Sequence, residues 1–316
     1  MSFAFSTELV ILTGPFNFNQ IRHKISEETI LIRFMSMEIV TRFAPSPTGN
    51  LHLGHAYSAL IAEREARVNN GKFLLRIEDI DIERCNAAFE KSILEDLSWL
   101  KLKWPEPVRK QSNHMVDYTR GLEKLHNLGL LYRCTLTRKE LAEAMSAPHE
   151  NDAAKITQKS PRNTLRYISK RENERRLAKG APHAIRLRME AASSLAGKLK
   201  WFDIKHGEQT AEPEIFGDIV LARKDIATSY HLSVTIDDAI QGITMVTRGD
   251  DLFKVTHIHR LLQSLLELPT PDYHHHKIIT DENGVRLAKR NKSASLKDLR
   301  ESGHKPEDLI RRLGFR

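Results

Sequence analysis

The chain has 316 residues, enough for about two domains of ordinary size. Hydrophobic residues at 40% and charged residues at 28% exclude a low-complexity or disordered chain, and two cysteines, Cys85 and Cys134, exclude a disulfide scaffold. A formal charge of +8, from 49 Lys and Arg against 41 Asp and Glu, fits a polyanionic partner, and no apolar run approaches the ~20 residues of a membrane span.

In chain order, residues 1–36 contain the apolar run Leu9-Val10-Ile11-Leu12, but Glu8 adjoins it and no basic stretch precedes it, unlike a secretory signal. Met35 and Met37 stand just upstream of the first regular pattern, so 1–36 is expected to be a mis-assigned start or a loose leader. Ile39 to Phe43 predicts a short strand, and Pro45, Pro47 and Gly49 break it. His55 to Asn70 then predicts one helix, with Ala56, Leu60, Ile61, Ala66 and Val68 largely on one face. Asn69-Asn70-Gly71 closes it, since these residues tolerate a left-handed cap.

His52 and His55 sit where loop becomes helix. Free N–H groups and a partial positive charge favour phosphate there, Gly54 admits a flat ring, and two imidazoles can donate to phosphate oxygens. A lone His-x-Gly-His is more often a pair of surface histidines. Lys72 to Glu78 predicts a buried strand that delivers Glu78-Asp79-Ile80-Asp81 to its C-terminal end, where open α/β sheets bind ligands.

Two helices are expected at about 87–100 and 113–127, then a strand over 130–134, then a capping box at Thr137 and Glu140. Between Lys155 and Lys179 stand nine Lys and Arg; a solvated surface and a contact with RNA phosphates are equally good readings. Ile185, Leu187 and Met189 predict a half-buried strand, and Asp218 to Leu221 a return to the core. Residues 230–251 read as a hairpin with a polar turn, followed by a capped helix at Asp250. Arg248 ends an apolar stretch, and an arginine on a buried side wants a carboxylate.

Arg42-Phe43-Ala44-Pro45-Ser46-Pro47-Thr48-Gly49, His52-Leu53-Gly54-His55, Arg76-Ile77-Glu78-Asp79-Ile80-Asp81 and Leu287-Ala288-Lys289-Arg290 occur in this order. Together they resemble the catalytic core of class I glutamyl-tRNA synthetases, over roughly residues 38–300. The resemblance implies an α/β fold: a Rossmann-type parallel-sheet catalytic domain at 37–130 and 205–300, with an inserted acceptor-binding-like subdomain at 131–204. It implies that His52, His55 and Lys289 are catalytic. Arg42, Ala44, Ser46, Glu78, Tyr230 and Arg248 would bind L-glutamate, with Glu78 on its α-ammonium. His52, Gly54, His55, Leu287 and Lys289 would bind ATP, accompanied by Mg²⁺. The family usually has serine where Ala288 stands, which implies slower activation.

Relatives often hold zinc in the insert through a Cys-x-Cys pair, a tyrosine and a third cysteine. Here Cys134-Thr135-Leu136 supplies one thiolate with none after it, so no zinc is expected. His274-His275-His276 is no substitute, because neighbours on a strand face opposite ways. Only 26 residues follow Arg290, too few for an anticodon-binding domain, so 301–316 is expected to be a short tail. That truncation resembles the branch of the family that transfers glutamate to the queuosine base at the wobble position of tRNA(Asp), taking the anticodon stem-loop where an acceptor stem would sit. Val234, where full-length synthetases usually carry asparagine, agrees with it. A cytoplasmic monomer is expected.

Overall fold

The structure, a computed structural model, describes residues 38–137, 139–141, 164–223, 227–279 and 294–315. Three parallel strands start the fold: β1 (Val40–Phe43), β2 (Lys72–Ile77) and β3 (Arg109–Lys110), with Val40 opposite Lys72 and Arg76 opposite Arg109. The helix α1 (Leu53–Val68) crosses from β1 to β2, and α2 (Ala87–Trp99) from β2 to β3. The expected cap is present: Asn70 has a left-handed φ of 52°, and a Cβ on Gly71 would stand 1.9 Å from the Ile39 carbonyl oxygen. Only glycine fits where the chain re-enters the sheet.

A second sheet runs β7-β6-β10-β9, from β6 (Lys200–Asp203), β7 (Gly207–Thr210), β9 (Met245–Gly249) and β10 (Asp272–His276). β10 lies parallel to both β9 and β6, while β7 returns antiparallel on β6. The two sheets meet at β1 and β9, where Thr244 N–H donates to the Val40 carbonyl at 3.0 Å and Val40 N–H donates to Thr244 Oγ1 at 2.8 Å. From β1 the chain builds outward through β2 and β3, and from β9 through β10 in the other direction. A crevice opens at such a reversal, beyond the C-terminal strand ends.

A third, antiparallel sheet contains β4 (Leu131–Cys134), β5 (Ala184–Leu187) and β8 (Val220–Arg223), in that order. Strand pairing therefore crosses the expected boundary at 204/205: β6 pairs with β10, and β8 pairs with β5. By contact, Ile39–Arg316 forms one unit. The capping box at Thr137 is present, with Glu140 N–H donating to its hydroxyl at 3.1 Å and Thr137 N–H donating back to Glu140 at 2.7 Å. In α4 (Lys170–Ala178), Arg175 and Arg176 bind Glu172, and Arg176 also reaches Glu140, so part of the basic run is internally paired.

The hairpin expected over 230–251 is corrected. Residues Tyr230–Ile240 form a helix, α6, capped by Ser229, whose hydroxyl accepts from Leu232 N–H; β9 follows it and pairs in parallel with β10. Leu232, Val234 and Ile236 alternate as a strand would, but Ser233, Thr235, Asp237 and Asp238 between them are buried as well. The element is enclosed on several sides by α3 (Met115–Asn127) and α7 (Thr256–Leu266), so packing overrides β-branched propensity. At Asp250 the chain makes one 3-10 turn, Asp250–Leu252, before α7.

Residues 294–315, which include most of the expected short tail at 301–316, pack on the core. Leu296, Leu309 and Phe315, from and beside α8 (Leu296–Glu301) and α9 (Pro306–Arg312), are buried with Leu60, Ile61, Ile93 and Leu97. Arg300 binds Asp96 at 3.1 Å, and Lys101 pairs with Glu307. Each large apolar side chain so buried contributes roughly 1.5–3 kcal/mol. Residues 1–36 lie outside the described residues.

Candidate active site

His52 caps α1. Its Nδ1 accepts the Gly54 N–H at 3.1 Å, and Nδ1 of His55 accepts the His52 N–H at 3.2 Å, a reciprocal box made of two imidazoles. The ring centroids are 3.8 Å apart. Because each Nδ1 accepts, each neutral ring carries its proton on Nε2. The pair therefore serves as N–H donors at a helix N-terminus, an arrangement that favours phosphate. The motif spacing indicated the helix start but not that the histidines themselves cap it.

Arg42, on β1, is buried and bound at two points to Asp238 of α6: Nε to Oδ1 at 2.9 Å and Nη2 to Oδ2 at 3.2 Å. Its Nη1 donates to the Thr247 carbonyl at 3.3 Å. Arg76, fully buried on β2, donates to Asp238 at 2.8 Å and to Glu78 at 3.0 Å. Behind them Asp237 accepts from Arg109 at 2.8 Å, Gln111 at 2.7 Å and the Tyr118 hydroxyl at 2.9 Å. Burial opposes ionisation of Asp238, but Arg42 and Arg76 outweigh it and hold its carboxyl below the usual range. For Glu78 burial wins over Arg76 and Arg42, and its carboxyl is pushed up.

Arg248, at the end of β9, is buried in a different setting. Nε donates to His275 Nε2 at 3.0 Å, Nη1 lies 3.1 Å from His259 Nδ1, and Nη2 donates to the Thr256 hydroxyl. The guanidinium carbon stands 5.3 Å from the centre of the Tyr273 ring. Among the described residues no carboxylate forms an ion pair with Arg248.

A cavity of about 400 Å³ occupies the crevice between β1 and β9. It is lined by Arg42, Ala44, His52, Gly54, His55, Glu78, Tyr230 and Arg248, so eight expected site residues share one space. Val234 lines it too. Ser46 lines instead an adjoining cavity of about 690 Å³, which shares Glu78 and Tyr230 with the first and carries Arg84, Cys85, Cys134, Arg186, Arg223 and His231. Leu287, Ala288 and Lys289 lie outside the described residues.

Asp238, Arg76, His259 and His275 were not anticipated from sequence. A signal for Asp238 existed: Tyr230, Val234 and Asp238 are spaced i, i+4, i+8, which puts them on one face of a helix. The hairpin reading hid it.

The three consecutive histidines of β10 have separate partners. His274 Nδ1 lies 3.5 Å from Glu65, His275 Nδ1 2.7 Å from Asp203 and His276 Nε2 3.0 Å from the Ser58 hydroxyl. Among the described residues no group of three or more His, Cys, Asp or Glu is placed to hold a metal ion, and no helix is long and apolar enough to cross a membrane. Cys134 is buried and lines the second cavity.

Comparison with known proteins places the chain in a family. A glutamyl-Q tRNA(Asp) synthetase of Rhodobacter capsulatus is 45% identical over 283 residues, covering 88% of this chain and 100% of the relative. A protein of the same name from Nocardia farcinica is 38% identical, over 85% of this chain and 81% of the relative. A glutamate tRNA ligase from Elizabethkingia meningosepticum, solved in complex with its amino acid, superposes with a TM-score of 0.69 at 27% identity; 88% of this chain is covered, but this chain spans only 60% of that protein's length. The family described as tRNA synthetases class I (E and Q), catalytic domain, matches residues 38–316. With a parallel-sheet crevice lined by the signature histidines and two buried arginines, this chain belongs to the class I tRNA synthetases (E and Q).

Proposed function

We propose that the chain activates L-glutamate with ATP without needing tRNA, and transfers the glutamyl group to the queuosine base at the wobble position of tRNA(Asp). The observation that carries the glutamate assignment is Arg248: a buried guanidinium, lining the cavity of the signature histidines, with no carboxylate partner among the described residues. Arg42 lines the same cavity with its charge already shared with Asp238. The pushed-up carboxyl of Glu78 gains a cation when a ligand ammonium stands beside it. Glutamate, with two carboxylates and one ammonium, brings a net negative charge to answer the Arg248 cation; glutamine brings none.

In the reaction the ionised α-carboxylate attacks the α-phosphorus of ATP, giving the mixed anhydride and pyrophosphate, with ATP accompanied by Mg²⁺. A queuosine hydroxyl then attacks the carbonyl, and AMP leaves. The first step demands no general base, because the carboxylate is already ionised, and in the second the hydroxyl proton passes to the phosphate of the departing AMP; the residues act by positioning and charge: His52 and His55 on phosphate oxygens, joined by Gly54, Leu287 and Lys289, and Glu78, Tyr230, Ala44 and Ser46 around the amino acid. The adjoining cavity, with Arg84, Arg186 and Arg223, offers cations to the anticodon stem-loop. The reading includes a cytoplasmic monomer without zinc.

Glutamate-dependent ATP–pyrophosphate exchange without tRNA, followed by transfer to tRNA(Asp) with and without queuosine, tests the proposal. A second reading, charging of a tRNA 3′ end, is favoured by a glutamate–tRNA ligase of a Synechococcus strain that is 36% identical, over 56% of that relative's length. Ribonuclease fragments separate the two: label in the anticodon fragment supports the first reading, and label on the terminal adenosine the second.

A further inference from the structure

The surroundings of Arg248 differ in kind from those of the buried Arg42 and Arg76 and of the half-buried Arg109 behind them. Arg42 and Arg76 share Asp238, and Arg109 has Asp117 and Asp237. Arg248 is held by two imidazoles and a hydroxyl. The tautomers of the imidazoles are set from behind. His275 has Nδ1 2.7 Å from Asp203 Oδ2, so its proton lies there and Nε2 is the acceptor for Arg248. His259 accepts through Nδ1 and presents Nε2 to Nδ1 of His231 at 3.4 Å. Burial, then the Arg248 charge, keeps both His259 and His231 neutral near pH 7.

We propose that His259 and His275 are positioning residues that fix the Arg248 guanidinium through uncharged acceptors, so that its charge is answered by a carboxylate of the substrate amino acid and not by the protein. The inference rests on the glutamate reading above. A protein carboxylate in place of either imidazole would hold the arginine equally well. It would also neutralise it, and an incoming anion would then meet an ion pair already closed. Neutral acceptors separate the two tasks: geometry comes from the protein, and the counter-charge from the ligand. The Tyr273 ring adds a π-face without adding a charge.

The test compares His259→Asn with His259→Asp. Asparagine keeps an acceptor oxygen close to the position of Nδ1, and aspartate has nearly the same shape but adds a charge. KM and kcat for glutamate and for glutamine are read by ATP–pyrophosphate exchange, with thermal melts of both variants. His259→Asn is expected to keep the glutamate KM within about threefold, and His259→Asp to raise it by roughly tenfold or more with a smaller effect on kcat. A rise for glutamate alone assigns Arg248 to the side-chain carboxylate, and a parallel rise for glutamine assigns it to the α-carboxylate; either supports the inference. A folded His259→Asp variant with KM values like those of His259→Asn overturns it. Nitrogen-15 NMR of histidine-labelled wild-type protein at pH 7 decides independently of any variant. Neutral rings protonated at Nε2 in His259 and at Nδ1 in His275 are expected, and an imidazolium at either position overturns the inference. Wild-type protein without glutamate-dependent exchange overturns the glutamate reading instead, and the NMR result then still decides whether the cradle is uncharged.

Discussion

Asp238 binds Arg42 with both carboxylate oxygens, at 2.9 and 3.2 Å, although 196 residues separate the two in sequence. The same carboxylate takes Arg76 at 2.8 Å, so one acidic side chain of α6 ties together the first two strands of the sheet. Such a pair is a weak source of stability when whole and a large loss when broken, because the remaining charge stays buried.

Asp238→Ala is therefore expected to lower the unfolding free energy by about 3–5 kcal/mol. Urea unfolding at pH 7 measures it. A loss below about 1 kcal/mol would mean that water or a neighbouring carboxylate replaces Asp238.

Acid should weaken the fold through its buried histidines. Burial, then the Arg248 charge, lowers the His231 pKa from 6.5 to about 4. Between these values the unfolded chain takes up a proton that the folded chain refuses. Stability is thus greatest above pH 6.5 and falls as the pH drops towards about 4. The shift corresponds to roughly 3 kcal/mol at about 1.4 kcal/mol per unit. His257, His259, His275 and His276 are shifted in the same direction and steepen the loss. Urea midpoints from pH 7.5 to 4.5 should fall steadily, and His231→Gln should flatten the slope; equal slopes would remove His231 from this account.

The histidine pair at the start of α1 has two tasks that mutation can separate. His55→Ala removes one acceptor of the capping box, worth about 1 kcal/mol, and one proposed donor to phosphate, worth about 10²–10³-fold in kcat. A small drop in melting temperature with a large drop in the exchange rate is the expected pair of results. Comparable modest losses in both would reduce the histidine to its capping role.

Cys85 reports on the second cavity. Its thiol is pushed up by burial and by the Asp79 and Asp81 carboxylates, so alkylation by iodoacetamide at pH 8 should be slower than for an unhindered thiol. A queuosine-containing anticodon stem-loop should slow it further, because Cys85 lines the cavity proposed to receive it. Peptide mass spectrometry reads the extent of modification, and an unchanged rate with saturating RNA would place the stem-loop elsewhere.

What was legible in the sequence was short-range. The strand at 72–77, the glycine-closed helix before it and the capping box at Thr137 follow from preferences within a few residues, where steric fit and local hydrogen bonds decide. The family resemblance likewise named eight residues that line one cavity, six of them within its motifs. Local signals failed for 230–240, where alternating apolar residues imitate a strand and the buried surroundings select a helix.

The sequence by itself determined which chemical groups are available: paired imidazoles at a helix start, arginines at strand ends and a single thiol at Cys134. Tertiary structure alone decided which charges are spent and which are kept. Arg42 and Arg248 read alike in the sequence, yet one is closed by Asp238 and the other rests on neutral imidazoles. That difference comes from packing between segments far apart along the chain, where burial makes every unpaired charge costly and the partner is chosen by position in space.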